Sequence, residues 1–128
     1  MNTRLFIVSL VLLSLCPVLA EDAKVKHVDA REAAELLKAK KLLVIDVRTA
    51  NEFAGGHIEG AKNIDYTENS FAADLGKLDK NLPVLIHCAS GARSTKSLKV
   101  FGELGFTDVT HIDGGFGAWK AAGLPVTK

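Results

Sequence analysis

Short apolar runs alternate with stretches of helical periodicity from Val25 to the end of the chain. That alternation marks a parallel sheet covered by helices on both faces, so the expected fold class is α/β, a single domain with about five mainly parallel strands. The run Val25 to Val28 predicts a short first strand. Asp29 is placed to cap the next helix with Glu32 as its reciprocal partner, and Ala33, Leu36 and Leu37 form that helix's apolar stripe. Residues 42–47 are apolar except at Asp46, which predicts a central strand buried on both faces. Thr49 and Glu52 repeat the capping pattern over a short helical turn. An edge strand is expected at 61–64. Phe71, Leu75 and Leu78 predict a helix within 70–78, and Pro83 opens a strand over 84–87. Leu98, Phe101 and Leu104 place a helix that begins near Ser94 and closes at Gly105, a residue suited to a left-handed cap. Residues 108–112 give a fifth strand, and a glycine-led helix over 114–123 is stopped by Pro125.

The first twenty residues do not fit this pattern. They carry one early positive charge, Arg4, then an apolar run short for a membrane span, then small side chains. They predict a secretory signal peptide at 1–20, with Val18 and Ala20 preceding cleavage before Glu21. An anchor that stayed in place would need about 20 apolar residues. A lipoprotein signal would need a small residue before Cys16, where Leu15 stands. The expectation is therefore a domain at 21–128, periplasmic or secreted, with no membrane association in the mature form.

Charge narrows the partners. The full chain has 16 basic and 15 acidic side chains, and cleavage removes Arg4 but no acid, so the mature domain is balanced. Nucleic acid is not an expected partner, because its binding rests on excess positive charge. Cys16 leaves with the signal, so Cys88 is the lone mature thiol and an intramolecular disulfide is impossible. A lone cysteine sent to an oxidising compartment is either buried packing, paired between chains, or chemically used.

Its setting points to chemistry. Cys88 follows a buried strand and precedes a helix, the position at which open parallel sheets collect ligands. The helix dipole, its free N–H groups and the Arg93 guanidinium all favour an anion there, so the thiol is expected to ionise readily. Ala89, Ser90, Gly91 and Ala92 add little bulk, and their amides, with Ser94 beyond, can line a small anion cradle. Only four residues separate Cys88 from Arg93. Cysteine phosphatases use five, for a tetrahedral phosphoryl group, so the shorter loop suits a persulfide and disfavours a phosphatase or arsenate reductase.

Three blocks in order then resemble the single-domain rhodanese family of sulfurtransferases: DVRTANEFAGGHIEGAKNI (46–64), CASGARS (88–94) and DGGFGAW (113–119). The resemblance implies covalent transfer through a Cys88 persulfide, without metal or organic cofactor. The donor would be a small sulfur anion such as thiosulfate, and the acceptor cyanide, a thiol or a thiol-bearing partner protein. Arg93 would orient the donor, and Ala89, Ser90, Gly91, Ala92 and Ser94 would line the substrate cradle. Two departures predict that thiosulfate is a poor donor. Ala89 and Ala92 stand where thiosulfate users often carry basic side chains, and Glu52 stands where two-domain members tend to have arginine. The alternative from another class is a persulfide carrier or redox sensor that acts with a partner protein.

The remaining polar residues read as scaffold. His87 points away from Cys88 by strand alternation and is expected to be a hydrogen-bonded structural histidine. His57 reads as a loop fixer, Asp46 and Arg48 as a buried pair, and Trp119 as core with its indole N–H bonded. His27 and His111 show no metal-ligand spacing with each other or with Cys88.

Overall fold

The computed structural model describes residues 24–128, so the expected signal peptide lies outside the described residues. Five strands alternate with five helices: β1 (Val25–Val28), α1 (Ala30–Ala39), β2 (Leu43–Asp46), α2 (Ala50–Ala54), β3 (Lys62–Asn63), α3 (Phe71–Gly76), β4 (Val84–His87), α4 (Ala92–Glu103), β5 (Val109–Ile112) and α5 (Gly115–Ala121). The strands form one sheet in the order β1-β5-β4-β2-β3, with every pairing parallel. Among the described residues no helix is long and apolar enough to cross a membrane.

The unbroken apolar runs of β2 and β4 follow from coverage of both faces. Ile45, Val84 and Ile86 point into one core with Phe71, Leu75 and Phe101 from α3 and α4. Val44 and Leu85, one residue out of step, point into the other with Ala33, Phe116 and Trp119 from α1 and α5. β2 is an interior strand, paired with β4 on one side and β3 on the other and buried on both faces as its apolar run predicts, and β4 is the middle strand of the sheet. The edge strand is shorter than expected, two residues at the sheet margin.

The helix starts follow the local chemistry. Asp29 accepts the Glu32 amide at 2.8 Å, a single-sided cap. Thr49 and Glu52 form a complete capping box at the head of α2. Gly105 takes a positive φ of 87° just beyond α4. That helix begins at Ala92, earlier than the apolar stripe indicated, so Arg93 and Ser94 lie in its first turn. Its opening turn carries polar residues, where periodicity has nothing to detect.

Topology then places a crevice. The chain leaves β4 toward β5 and leaves β2 toward β3, which lie on opposite sides in the sheet. Between the carboxyl ends of β4 and β2 the two loops part, which is where open α/β sheets take their ligands.

Candidate active site

Cys88 is the first residue beyond β4, at the mouth of that crevice and against the start of α4. The loop is locked from behind. The Cys88 carbonyl accepts the Phe116 amide at 2.8 Å, and the Ala89 carbonyl accepts the Gly117 amide at 2.9 Å. This close approach explains the glycine at position 115, at the head of α5. Gly115 has a φ of 61°, and a Cβ there would lie 2.7 Å from both the Cys88 and Ala89 carbonyl oxygens. Gly91 is equally constrained, with a φ of 107° and the Asp113 carbonyl oxygen 2.3 Å from where a Cβ would stand.

With the backbone held in this way, donors converge on the sulfur. The Gly91 N–H reaches Cys88 Sγ at 3.1 Å and the Ser94 Oγ lies 3.2 Å from it. Burial pushes the Cys88 thiol up, but the Ser94 hydroxyl and the amides of Ser94, Gly91 and Ser90 more than offset it, and the net shift is downward. Ser90, Gly91 and Ser94 therefore act on the sulfur as a partial ring of donors. The Ala89 and Ala92 amides make no bond to it; Ala89 serves through its carbonyl, as part of the lock on α5. Cys88 is 1% exposed, so its sulfur lies at the bottom of the loop and not on the surface.

Arg93 is placed differently from the sequence expectation. Its guanidinium grips Glu52 in a two-pronged pair, Nη1 to Oε1 at 2.7 Å and Nη2 to Oε2 at 2.9 Å. The pair joins the head of α4 to α2 across the crevice. The Arg93 hydrogen bonds hold the Glu52 carboxyl down to about 2, against the smaller opposing effect of burial. Glu52 thus stays ionised throughout the neutral range and neutralises much of the charge that Arg93 would offer to a donor. Sequence reasoning gave Glu52 a capping role and noted it as a departure from the family pattern; its spacing in the capping box carried no sign of Arg93, 41 positions away.

The second polar group is wholly buried. Asp46 accepts from Arg48 Nε at 3.0 and 3.1 Å and from Nη2 at 2.7 Å, and Nη2 also donates to the Gly56 carbonyl at 2.7 Å. The Arg48 guanidinium lies 4.0 Å over the Phe116 ring. Scaffold is the role expected for this pair, and the geometry agrees. His57 accords with its expected role as well: its ring bonds to the Phe53 carbonyl at 2.9 Å, and its backbone pairs with Thr127. Trp119 donates its indole N–H to the Pro125 carbonyl at 2.8 Å.

His87 and His111 depart from expectation. His87 is fully buried and its Nδ1 donates to the Cys88 carbonyl at 3.0 Å, but its Nε2 has no hydrogen-bond partner. Burial, the largest influence, drives its pKa down and favours the neutral ring. His111 comes together with His27 and Asp113, both rings meeting the Asp113 carboxylate through Nδ1. The sequence gap of 84 residues between the two histidines hid a pairing that the β1–β5 register creates, because His27 and His111 are direct partners.

A parallel sheet that presents one thiol to a short donor loop at a helix start defines a sulfur-handling α/β domain. Comparison with known proteins agrees with that class. The profile of the rhodanese-like domain matches residues 21–122, and the chain belongs to that family. It is 34% identical over 97 residues to thiosulfate sulfurtransferase GlpE of Shewanella oneidensis, covering 76% of this chain and 94% of that one. It is 35% identical over 96 residues to the Pseudomonas putida protein of the same name, covering 75% and 86%. Among solved structures, a rhodanese-related protein from Thermoplasma volcanium superposes with a TM-score of 0.70 at 27% identity, covering 80% of this chain and 97% of that one. A rhodanese-like domain protein from Staphylococcus aureus gives 0.68 at 32% identity, covering 80% and 99%.

The charge balance at Arg93 leads to an expected result. Glu52→Gln frees the guanidinium, and thiosulfate KM should fall a few-fold, roughly the 0.2–1 kcal/mol of a half-exposed ion pair, while kcat changes little. Arg93→Ala should raise KM for the same donor. Steady-state kinetics of thiocyanate formation check both, and an unchanged KM in the two variants would remove Arg93 from donor binding.

Proposed function

We propose that this protein is a sulfurtransferase that moves a sulfane sulfur from an anionic donor such as thiosulfate to cyanide or a thiol through a persulfide on Cys88. The observation that carries the reading is the convergence of the Gly91 N–H and the Ser94 hydroxyl on a buried sulfur at the end of β4. Those donors favour the thiolate, the form that attacks sulfur. They also remain in place to stabilise negative charge as it shifts along a persulfide. The Cys88 thiolate attacks the outer sulfur of thiosulfate, the S–S bond of the donor breaks, and sulfite leaves with the electron pair. Cyanide then takes the outer sulfur of the persulfide and departs as thiocyanate, returning the thiolate. With a thiolate acceptor the product is a small or protein-borne persulfide.

Arg93 orients the donor anion at the rim, shared with Glu52. Ser90, Gly91 and Ser94 line the sulfur cradle, while Ala89 and Ala92 keep its mouth free of bulk. Neither step requires a metal or an organic cofactor. Export belongs to the same proposal: residues 1–20 direct the chain to the periplasm or outside the cell, and the mature domain begins at Glu21.

Intact mass spectrometry tests both parts. Protein recovered after export should have the mass of residues 21–128, and exposure to thiosulfate should add one sulfur atom, which maps to Cys88 and is removed by cyanide. A mature protein that gained no sulfur from thiosulfate or from any low-molecular-weight persulfide would refute the transfer reading.

A further inference from the structure

Beyond the groups that transfer sulfur, an unbroken chain of hydrogen bonds joins Cys88 to the surface. Ser94 Oγ stands 3.2 Å from Cys88 Sγ and 2.7 Å from His111 Nε2. His111 Nδ1 lies 2.8 Å from Asp113 Oδ1, and His27 Nδ1 lies 2.6 Å from the same oxygen. Ser94 and His111 are buried, whereas Asp113 and His27 reach solvent.

A proton inventory fixes the directions. A carboxylate only accepts, so His111 Nδ1 carries the hydrogen it shares with Asp113, and Nε2 is the atom whose protonation changes. Ser94 has one hydroxyl proton and three acceptors within reach: Sγ, the Gly91 carbonyl oxygen at 3.2 Å and His111 Nε2 at 2.7 Å. The contact with Nε2 is the shortest. While His111 is neutral the hydroxyl donates to Nε2, and its oxygen is free to accept from the thiol.

We propose that Cys88, Ser94, His111 and Asp113 form a proton relay that strips the thiol proton from the buried cysteine, with His111 as the positioning residue that receives it. The inference rests on Cys88 being the nucleophile. The Cys88 thiol proton passes to Ser94 Oγ as the Ser94 hydroxyl proton passes to His111 Nε2. The S–H bond breaks, an N–H bond forms, and the products are a thiolate and an imidazolium with no change of oxidation state. In the new arrangement Nε2–H donates to Ser94 Oγ, and the hydroxyl turns its proton to Sγ, where it stabilises the anion.

Burial explains the need. At 1% exposure Cys88 cannot pass its proton directly to bulk water, so an internal acceptor has to take it. Titratable groups face His111 from its own strand end, from β1 and from the Cys88 loop. From its own strand end it faces Asp113, which its hydrogen bond and that of His27 hold below the ordinary carboxylate range. From β1 it faces the His27 ring at 5.4 Å, and from the loop after β4 it meets Cys88 through the Ser94 hydroxyl. The α4 side contributes Ser94, which carries no charge.

The test is the pH dependence of Cys88 alkylation by iodoacetamide, a reaction that needs no sulfur donor. His111→Gln should raise the midpoint by about one pH unit, slowing alkylation about tenfold below it, and Asp113→Asn should shift it in the same direction by less. In the unsubstituted protein, NMR of the His111 ring should show its titration midpoint falling once Cys88 is alkylated, because the thiolate that favours the imidazolium has gone. That measurement decides the matter if His111→Gln does not fold. An unshifted ring titration, or an alkylation profile unchanged in a folded His111→Gln, would overturn the relay. Protein that makes no thiocyanate yet shows these shifts would keep the relay and lose the sulfur-transfer reading; thiocyanate formation with unshifted profiles would do the reverse.

Discussion

Cys88→Ser should abolish sulfur transfer and leave the fold intact. Oxygen replaces sulfur at a site that already receives the Gly91 N–H and faces the Ser94 hydroxyl, so the serine side chain keeps hydrogen-bonding partners and strands no buried donor. The chemistry is lost for a separate reason. A hydroxyl does not ionise near neutral pH, and the same donors that depress a thiol cannot bring a serine into range, so no persulfide can form. Thiocyanate production with thiosulfate and cyanide should fall below detection. The thermal midpoint should move by only a few degrees, and no sulfur should be added by mass. Turnover at the parent rate would mean that the sulfur is carried elsewhere.

The sequence carried the fold in its periodicities because nearly every element has a face that must be buried. The alternation of Val44 and Leu85 against Ile45 and Ile86 needs two covered faces, the condition under which parallel sheets form. Cys88 was legible for a related reason: small residues, a glycine and an arginine after a buried strand have little value as packing. What could not be read were pairings made by register. His27 meets His111 only because β1 lies beside β5, and Arg93 meets Glu52 only because α2 and α4 start at adjoining strand ends. A linear pattern holds no measure of those distances. Arg93 therefore read as a free cation, His111 as an isolated ring, and the start of α4 fell two residues late because its first turn is polar.

The buried pair beneath the crevice sets the largest expected change in stability. Asp46 and Arg48 are 0% and 4% exposed, and the carboxylate takes both Nε and Nη2 of the guanidinium. Asp46→Ala leaves Arg48 with the Gly56 carbonyl and the Phe116 ring, partners that cannot neutralise its charge. Removing one member of a buried pair costs about 3–5 kcal/mol. For a domain of roughly a hundred residues that is a thermal midpoint lower by at least about 12 °C, out of a total stability of about 5–15 kcal/mol. Asp46→Leu combined with Arg48→Met removes both charges and fills the space with apolar atoms. The double variant should therefore be more stable than either single variant, the sign expected when two charges are kept for each other. Urea unfolding of Asp46→Ala, Asp46→Leu, Arg48→Met and the double variant measures the difference. A single variant within about 1 kcal/mol of the parent would mean that water reaches Arg48, and the loop between α2 and β3, which the Gly56 contact ties down, would then have to open to admit it.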